Sequence, residues 1–201
     1  MTPGAADRLP SVAACGSLLA MAVGFALESV RAVTPALLWR PTPCQGWDLR
    51  MLLRHGCDSL AALHEGVASG CVQRTGPATC RDRSADPALA FRHQAGVLLT
   101  VSGQLARRDV LVGDRHLTTS LLAAAGAVEI AVHGWDISRS CGILRQIPHG
   151  LAADLLELTP LLISGADRGL LFAAAMNAGR AAGPGERLVA FLGRDPAHSG
   201  G

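Results

Sequence analysis

The sequence predicts an all-α protein, a four-helix bundle with a crossover linker and a short C-terminal helix. Two observations carry that expectation. Apolar residues recur at helical spacing over four long segments, and alternating, strand-like runs are few. A third is the stretch from Thr119 to Ser140, which is apolar nearly all round and so belongs in a core.

The elements follow in order. Leu18 to Leu38 reads as a first helix, with Thr34-Pro35 a break near its end, because the residue before a proline is pushed out of the helical region. Thr42-Pro43-Cys44-Gln45-Gly46 is a turn, dense in breakers. A second helix starts with Asp48 as its N-cap. Its apolar positions Leu49, Leu52, Leu53, Leu60, Leu63 and Val67 keep helical spacing. Gly70 to Asp86 is a loop, and Pro87 to Arg108 a third helix. Asp109 to Thr118 holds Val110-Leu111-Val112 and then Gly113-Asp114, the pattern of a short hairpin or an extended crossing. The fourth helix runs from Thr119 to Ser140, with Cys141-Gly142 as its stop signal. Pro148 to Ser164 is a fifth. Gly165 to Gly185 is ambiguous, its alanine run being compatible with a helix. Glu186 to Leu192 is a short last helix, and the tail from Asp195 is expected to fray. Residues 1–201 together are expected to make a single helical domain.

Composition excludes several classes. Hydrophobic residues are 49% and charged residues 17% of the chain, so it is globular and not disordered. The formal net charge is only +2, with the arginines spread along the sequence. No basic cluster of the kind that binds nucleic acid is present. All 18 basic residues are Arg, and Tyr is absent too. A GC-rich genome explains that bias better than protein physics does, and it hints at an actinobacterial source. The six cysteines, Cys15, Cys44, Cys57, Cys71, Cys80 and Cys141, form no CxxC pair. They read as reduced thiols of a cytoplasmic protein, not as a disulfide framework or a zinc knuckle. Val12 to Leu27 is apolar but short for a membrane span, and Asp7 and Arg8 leave little positive charge ahead of it for a signal peptide. The expectation is a buried first helix and no membrane.

Chemistry concentrates on the fourth helix. Upstream of Asp136 its strongly polar side chains are Glu129 and His133, four residues apart. They share one face, with Cβ atoms about 5–6 Å from each other. Asp136 continues that stripe. A carboxylate on a buried helix is costly unless it is paired or bound to metal, so the pair is part of a metal site, an ion pair, or the solvated edge of an amphipathic helix. His55, on the second helix, falls roughly 60° beyond the edge of the apolar stripe; it points to a neighbouring helix at the rim of the core or is a core-edge histidine with a hydrogen bond. His64, His93, His116, His149 and His198 read as surface or loop residues.

Three stretches carry a family resemblance. Thr42-Pro43-Cys44-Gln45-Gly46-Trp47-Asp48-Leu49-Arg50, followed by Leu52-Leu53-Arg54-His55, is similar to a T-P-C-x-G-W-(D/S) turn and a helix with L-x-x-H. Glu129-Ile130-Ala131-Val132-His133-Gly134-Trp135-Asp136-Ile137 is similar to E-x-x-x-H-G-W-D-(L/I). Arg187 to Pro196 is similar to a closing R-L-x-x-x-L-G-R-x-P. In this order they resemble the mycothiol-dependent maleylpyruvate isomerase-like proteins of the DinB/YfiT superfamily, in their short actinobacterial metal-binding branch. The resemblance implies a DinB-like four-helix bundle and a divalent metal on His55, Glu129 and His133. Zinc is the expected ion, with iron or nickel also suited to the donor set.

The resemblance also implies mycothiol as cosubstrate. The expected activity is an S-transferase or thiol-assisted isomerase, with a metal-bound thiol as nucleophile. Two alternatives stay open: a metalloenzyme using metal-bound water, such as a hydrolase or biosynthetic tailoring enzyme, and a non-catalytic metal- or small-molecule-binding protein. Asp136 is the candidate catalytic residue, orienting His133 or Trp135 from behind the metal; the alternative is a helix-face carboxylate bonded to Arg139 or solvent. Trp47 and Trp135 line the pocket or pack the core. Cys44 is a redox thiol or a buried turn residue, and Arg168 is a weaker candidate for an acidic substrate group. The expected partners are a small-molecule thiol and an electrophilic substrate, with no nucleic acid and no membrane; a homodimer is left open. Gly56-Cys57 stands where the family has a bulky aliphatic pair, a change that widens the pocket or brings a thiol near the metal. The larger maleylpyruvate isomerases add a C-terminal domain to their active site, which these 201 residues do not accommodate, so the reaction need not be that isomerisation.

Overall fold

The computed structural model describes residues 10–72, 86–103, 105–106, 109–163 and 173–198. Arg168 and Cys80 lie outside them, as do most of the predicted 70–86 loop, the first part of the ambiguous 165–185 segment and the last three residues.

Helix α1 spans Val12–Val30, six residues earlier at its start than the apolar pattern suggests, because the Ser11 side chain caps it by accepting from Ala14 N–H. It also stops earlier. Pro35 holds Thr34 extended, and Pro35–Leu37 forms a separate 3₁₀ turn. Helix α2 is Leu49–Ser69, with the Asp48 carboxylate accepting from Met51 N–H at 2.7 Å. Its stop is Gly70, whose φ of 74° is left-handed. Helix α3, Pro87–Ser102, has Asp86 as cap and proline in its first turn, and ends short of Arg108. Helix α4 is Thr119–Ser140, capped by Thr118, and α5 is His149–Leu162. Helix α6, Pro184–Phe191, starts before Glu186, whose carboxylate accepts from Gly183 N–H. Residues 173–178, in the alanine-rich part of the ambiguous segment, are not helical; Met176 N–H donates to Ala190 O, laying that stretch along α6.

The fold is mostly helical, as predicted, with one small sheet beside the bundle. β2 (Asp109–Val112) and β3 (Arg115–Thr118) form an antiparallel hairpin turning at Gly113. β1 (Cys71–Val72) pairs parallel to β2, an addition the sequence did not suggest. It serves to close the exit of α2 against the hairpin that feeds α4.

One continuous core joins all six helices, with Leu19, Leu52, Phe91, Trp135, Leu155 and Leu188 among its fully buried side chains. Helix α1 is long and apolar enough to cross a membrane by length and composition, and half of that window is buried within the fold. Its Cys15, Leu19, Ala22, Val23 and Ala26 are wholly buried, as a core helix requires. Small residues set the helix spacing. A Cβ on Gly134 would lie 2.9 Å from the Ala26 backbone and 3.1 Å from its Cβ, so α1 and α4 touch almost backbone to backbone. Gly134→Ala gains about 1 kcal/mol of helix propensity, but overpacking a backbone contact costs about 1–3 kcal/mol. The expected net result is a destabilised protein, read as a lower urea midpoint at unchanged m-value.

Gly56 has the same role between α2 and α3. A Cβ there would lie 2.5 Å from the Phe91 ring, and the Cys57 thiol is buried toward Pro87 O. The Gly56-Cys57 departure therefore neither widens the pocket nor brings a thiol to the candidate ligands. It admits Phe91 to the core instead.

Candidate metal centre

The turn before α2 and the middle of α4 build the site. In the turn, Thr42 Oγ accepts from Cys44 N–H and donates to Cys44 O, and Trp47 N–H also donates to Cys44 O. Gly46 takes the positive φ that reverses the chain. The breaker-rich motif thus fixes the Cys44 side chain toward α4 and starts α2 one turn ahead of His55. Trp47, half-buried, meets the His55 ring edge-on at 5.0 Å between centroids and holds it.

His55, Glu129 and His133 converge. His55 Nε2 is 2.7 Å and His133 Nε2 3.2 Å from the same oxygen, Glu129 Oε1. One donor atom from each of the three lies within 4.8 Å of the others. Ser59, one turn beyond His55, also donates to Glu129 Oε1 at 3.3 Å. Four-coordinate zinc at its usual bond lengths sets ligand atoms about 3.3 Å apart. The observed separations need an opening of only about half an ångström to admit an ion of that size. Two imidazoles and a carboxylate also suit borderline-hard divalent ions. The donor set fits a metal.

Behind His133 lies a second cluster. Asp136, fully buried, accepts at one oxygen, Oδ2, from His133 Nδ1 at 3.0 Å, Arg194 Nη2 at 3.1 Å and the Cys44 thiol at 3.2 Å. The carboxylate thus contacts His133 and not Trp135. Arg139 stacks on the Trp135 ring instead, and Trp135 is a core residue outside the cavity. With Nδ1 donating to Asp136, His133 presents Nε2 to the Glu129 side. Cys44, His133 and Asp136 are close enough to hold a metal themselves. However, the Arg194 guanidinium stands 3.2 Å from Cys44 Sγ and 3.1 Å from Asp136 Oδ2, already supplying the cation that trio would need. Cys44 is a turn thiol, and Cys15, Cys44, Cys71 and Cys141 form no disulfide.

Opposite charges shape the titrations. Burial pushes the Glu129 carboxyl up, but the His133 charge and hydrogen bonds from both histidines outweigh it and hold the carboxyl well below its usual range. Burial alone would lower His133; Glu129 beside it, with the Asp136 and Cys44 contacts, holds the imidazolium well above its ordinary range. Asp136, pushed up by burial, is brought below its ordinary value mainly by Arg194. In the metal-free arrangement a proton on His133 supplies part of the positive charge that an ion would bring.

Glu129 and His133 form one end of a cavity of about 390 Å³. Among the described residues Ser59 and Arg194 are its other polar wall groups; Leu63, Leu122, Val132, Leu162, Ile163 and Leu192 line it with apolar surface. Sequence reasoning missed Ser59 and Arg194. Ser59 is signalled by its i+4 spacing from His55. Arg194 sits in the closing motif next to Gly193, which has a positive φ of 80° and where an added Cβ would lie 2.7 Å from Ala173 Cβ, so glycine is required. Its role was invisible because the residue it meets is 58 positions away. His93, His116 and His149 are exposed and His64 and His198 half-buried, none of them near the convergence.

No family model and no curated protein matches this chain. Among solved structures it is similar to a histidine-to-alanine mutant of the mycothiol-dependent maleylpyruvate isomerase, at 14% identity and a TM-score of 0.54, over 78% of this chain and 70% of that one. At that identity the likeness shows the fold, and it is the fold that the three motifs imply.

Proposed function

We propose that a chain with this fold and this convergence of donors is a cytoplasmic, metal-dependent enzyme that uses a low-molecular-weight thiol, mycothiol, as its nucleophile. S-transfer and thiol-assisted isomerisation are the reaction types it suits. The observation that carries the reading is the meeting of His55, Glu129 and His133, two of which, Glu129 and His133, line a largely apolar cavity. Three protein donors leave a coordination position for a ligand, as catalytic sites do and closed structural sites do not. When bound, the ion would supply the positive charge that favours a thiolate over a thiol at neutral pH. Zinc is the expected metal.

The chain's own groups have distinct tasks in this reading. Asp136 and Arg194 fix the His133 ring so that Nε2 faces the site. Trp47 limits the swing of His55. Ser59 holds the Glu129 carboxylate toward both histidines. The apolar walls keep water from competing with the substrate.

Two measurements test this. Elemental analysis of the purified protein should show one divalent ion per chain. Mycothiol should then raise the melting temperature in the metal-loaded protein and not after chelation; at a hundredfold excess over Kd the gain is about 2.7 kcal/mol. Metal present with no mycothiol effect would favour metal-bound water over a thiol. No metal in an intact fold would favour a binding protein.

A pH dependence follows. In the metal-free protein Glu129, with Asp136 and Cys44, favours the protonated form of His133, and an ion must displace that proton. Metal affinity should therefore rise with pH through and above the ordinary imidazole range, about 6.5, and binding should release protons. Calorimetry in buffers of different ionisation enthalpy reads both. An affinity that is flat across that range would mean His133 is not a ligand.

A further inference from the structure

The cavity over the candidate metal centre is wide enough for a small organic molecule, at the lower end of the roughly 300–1,000 Å³ usual for ligand sites. What it offers that molecule is uneven. Among the described residues four polar side chains, Ser59, Glu129, His133 and Arg194, reach it, and Ser59 and His133 both engage Glu129 Oε1. Arg194 does not offer a free fork for a carboxylate. Its Nη1 donates to Leu192 O at 2.9 Å and its Nη2 is shared by Asp136 and Cys44, which leaves the buried Nε–H as its one unpaired donor. Among the described residues the remaining walls, from α2, α4, the end of α5 and the residue after α6, are apolar.

Charge points the same way. Asp136 neutralises Arg194. A divalent ion would be neutralised by Glu129 together with one anionic nucleophile. Among the described residues no net positive charge then remains to draw in an anion, and an anion leaving water for these apolar walls would lose most of its hydration, with the single Arg194 Nε–H to replace it.

We infer that the molecule this cavity binds is an uncharged, largely aliphatic or aromatic electrophile, seated with its reactive carbon at the Glu129–His133 end and its body along α4 beside Leu122 and Val132, and not a small polyanion. The inference rests on the proposed function for the word electrophile; the apolar preference rests on the walls alone. Mycothiol, a polar thiol, would keep its bulk outside and extend only its sulfur inward.

The test uses the full chain, metal-loaded and chelator-treated, with simple probes: the 1-alkanols from butanol to octanol, and succinate as a small dianion. Calorimetric affinity for the alkanols should rise about fourfold per added methylene, in both forms of the protein. Ala125, exposed at the cavity wall, can take a larger side chain without entering the core. Ala125→Phe should weaken octanol binding at least about tenfold while leaving the melting temperature near wild type. Leu122→Asn, one turn earlier on the same face of α4, should flatten the chain-length dependence. Alkanol affinity independent of chain length, octanol binding indifferent to both substitutions, or succinate binding tighter than octanol would each overturn the inference. Failure of the metal reading looks different: no ion by elemental analysis, with the alkanol series unchanged.

Discussion

His133→Ala is expected to leave the protein folded and without stoichiometric metal. Imidazole Nε2 of His133 is one of three converging donors, and its ring is the most buried of the three, at 9% side-chain exposure against 38% for His55 and 32% for Glu129. Loss of an outer partner of a ligating histidine usually lowers metal affinity about 10–100-fold, so loss of the ligand itself should exceed that. His55→Ala and Glu129→Ala should behave alike. Helicity should survive in each case, because alanine is the best helix former and each substitution removes a polar group that burial penalises. Elemental analysis and far-UV circular dichroism on the same samples read the two halves of the prediction. Retention of one ion per chain in any of the three variants would remove that residue from the ligand set. Helix loss alongside metal loss would instead make the trio a structural clasp.

Asp136→Ala should be the most destabilising single change near the site. The carboxylate is fully buried and accepts at one oxygen from His133, Arg194 and Cys44. Removing it leaves the Arg194 charge buried without its partner, and breaking such a pair costs about 3–5 kcal/mol. For a domain of this size that is a fall in melting temperature on the order of 10 °C. Metal affinity should fall as well, by about 10–100-fold, because His133 loses the acceptor that fixes its ring. The double variant Asp136→Leu/Arg194→Met separates the two effects. Removing both charges together should recover much of the stability, as replacement of buried pairs by apolar groups often does, without recovering metal affinity. A double variant as unstable as the sum of its parts would show that the two side chains contribute independently, contrary to the shared oxygen seen here.

The polar chain from Arg194 through Asp136 to His133 explains how a short closing segment matters to a site built on α2 and α4. Arg194 follows α6 by three residues, and its guanidinium reaches back to Asp136 on α4. The C-terminal motif is thereby tied to the orientation of an imidazole that it never touches. The same connection makes the third motif more than a helix ending: Gly193 permits the turn, and Arg194 uses it.

Much of this protein was legible in the one-dimensional chain, and for local reasons. Capping residues and helical spacing set α2 and α4 almost to the residue, since Asp48, Thr118 and the Cys141-Gly142 stop act on their immediate neighbours. The shared face of Glu129 and His133 follows from the geometry of one helix. What needed tertiary structure is what depends on distant partners. The spacing of His55 from Glu129, 74 positions along the chain, is decided by how α2 packs on α4. The choice of His133 over Arg139 as the partner of Asp136 depends on Arg139 finding the Trp135 ring. The Gly56-Cys57 pair changed meaning once Phe91 was seen to fill the space above it. Local hydrogen bonding and periodicity are written into consecutive residues, whereas the meeting of side chains across a core is fixed only when the helices have packed, and it is that meeting which makes a site out of separate motifs.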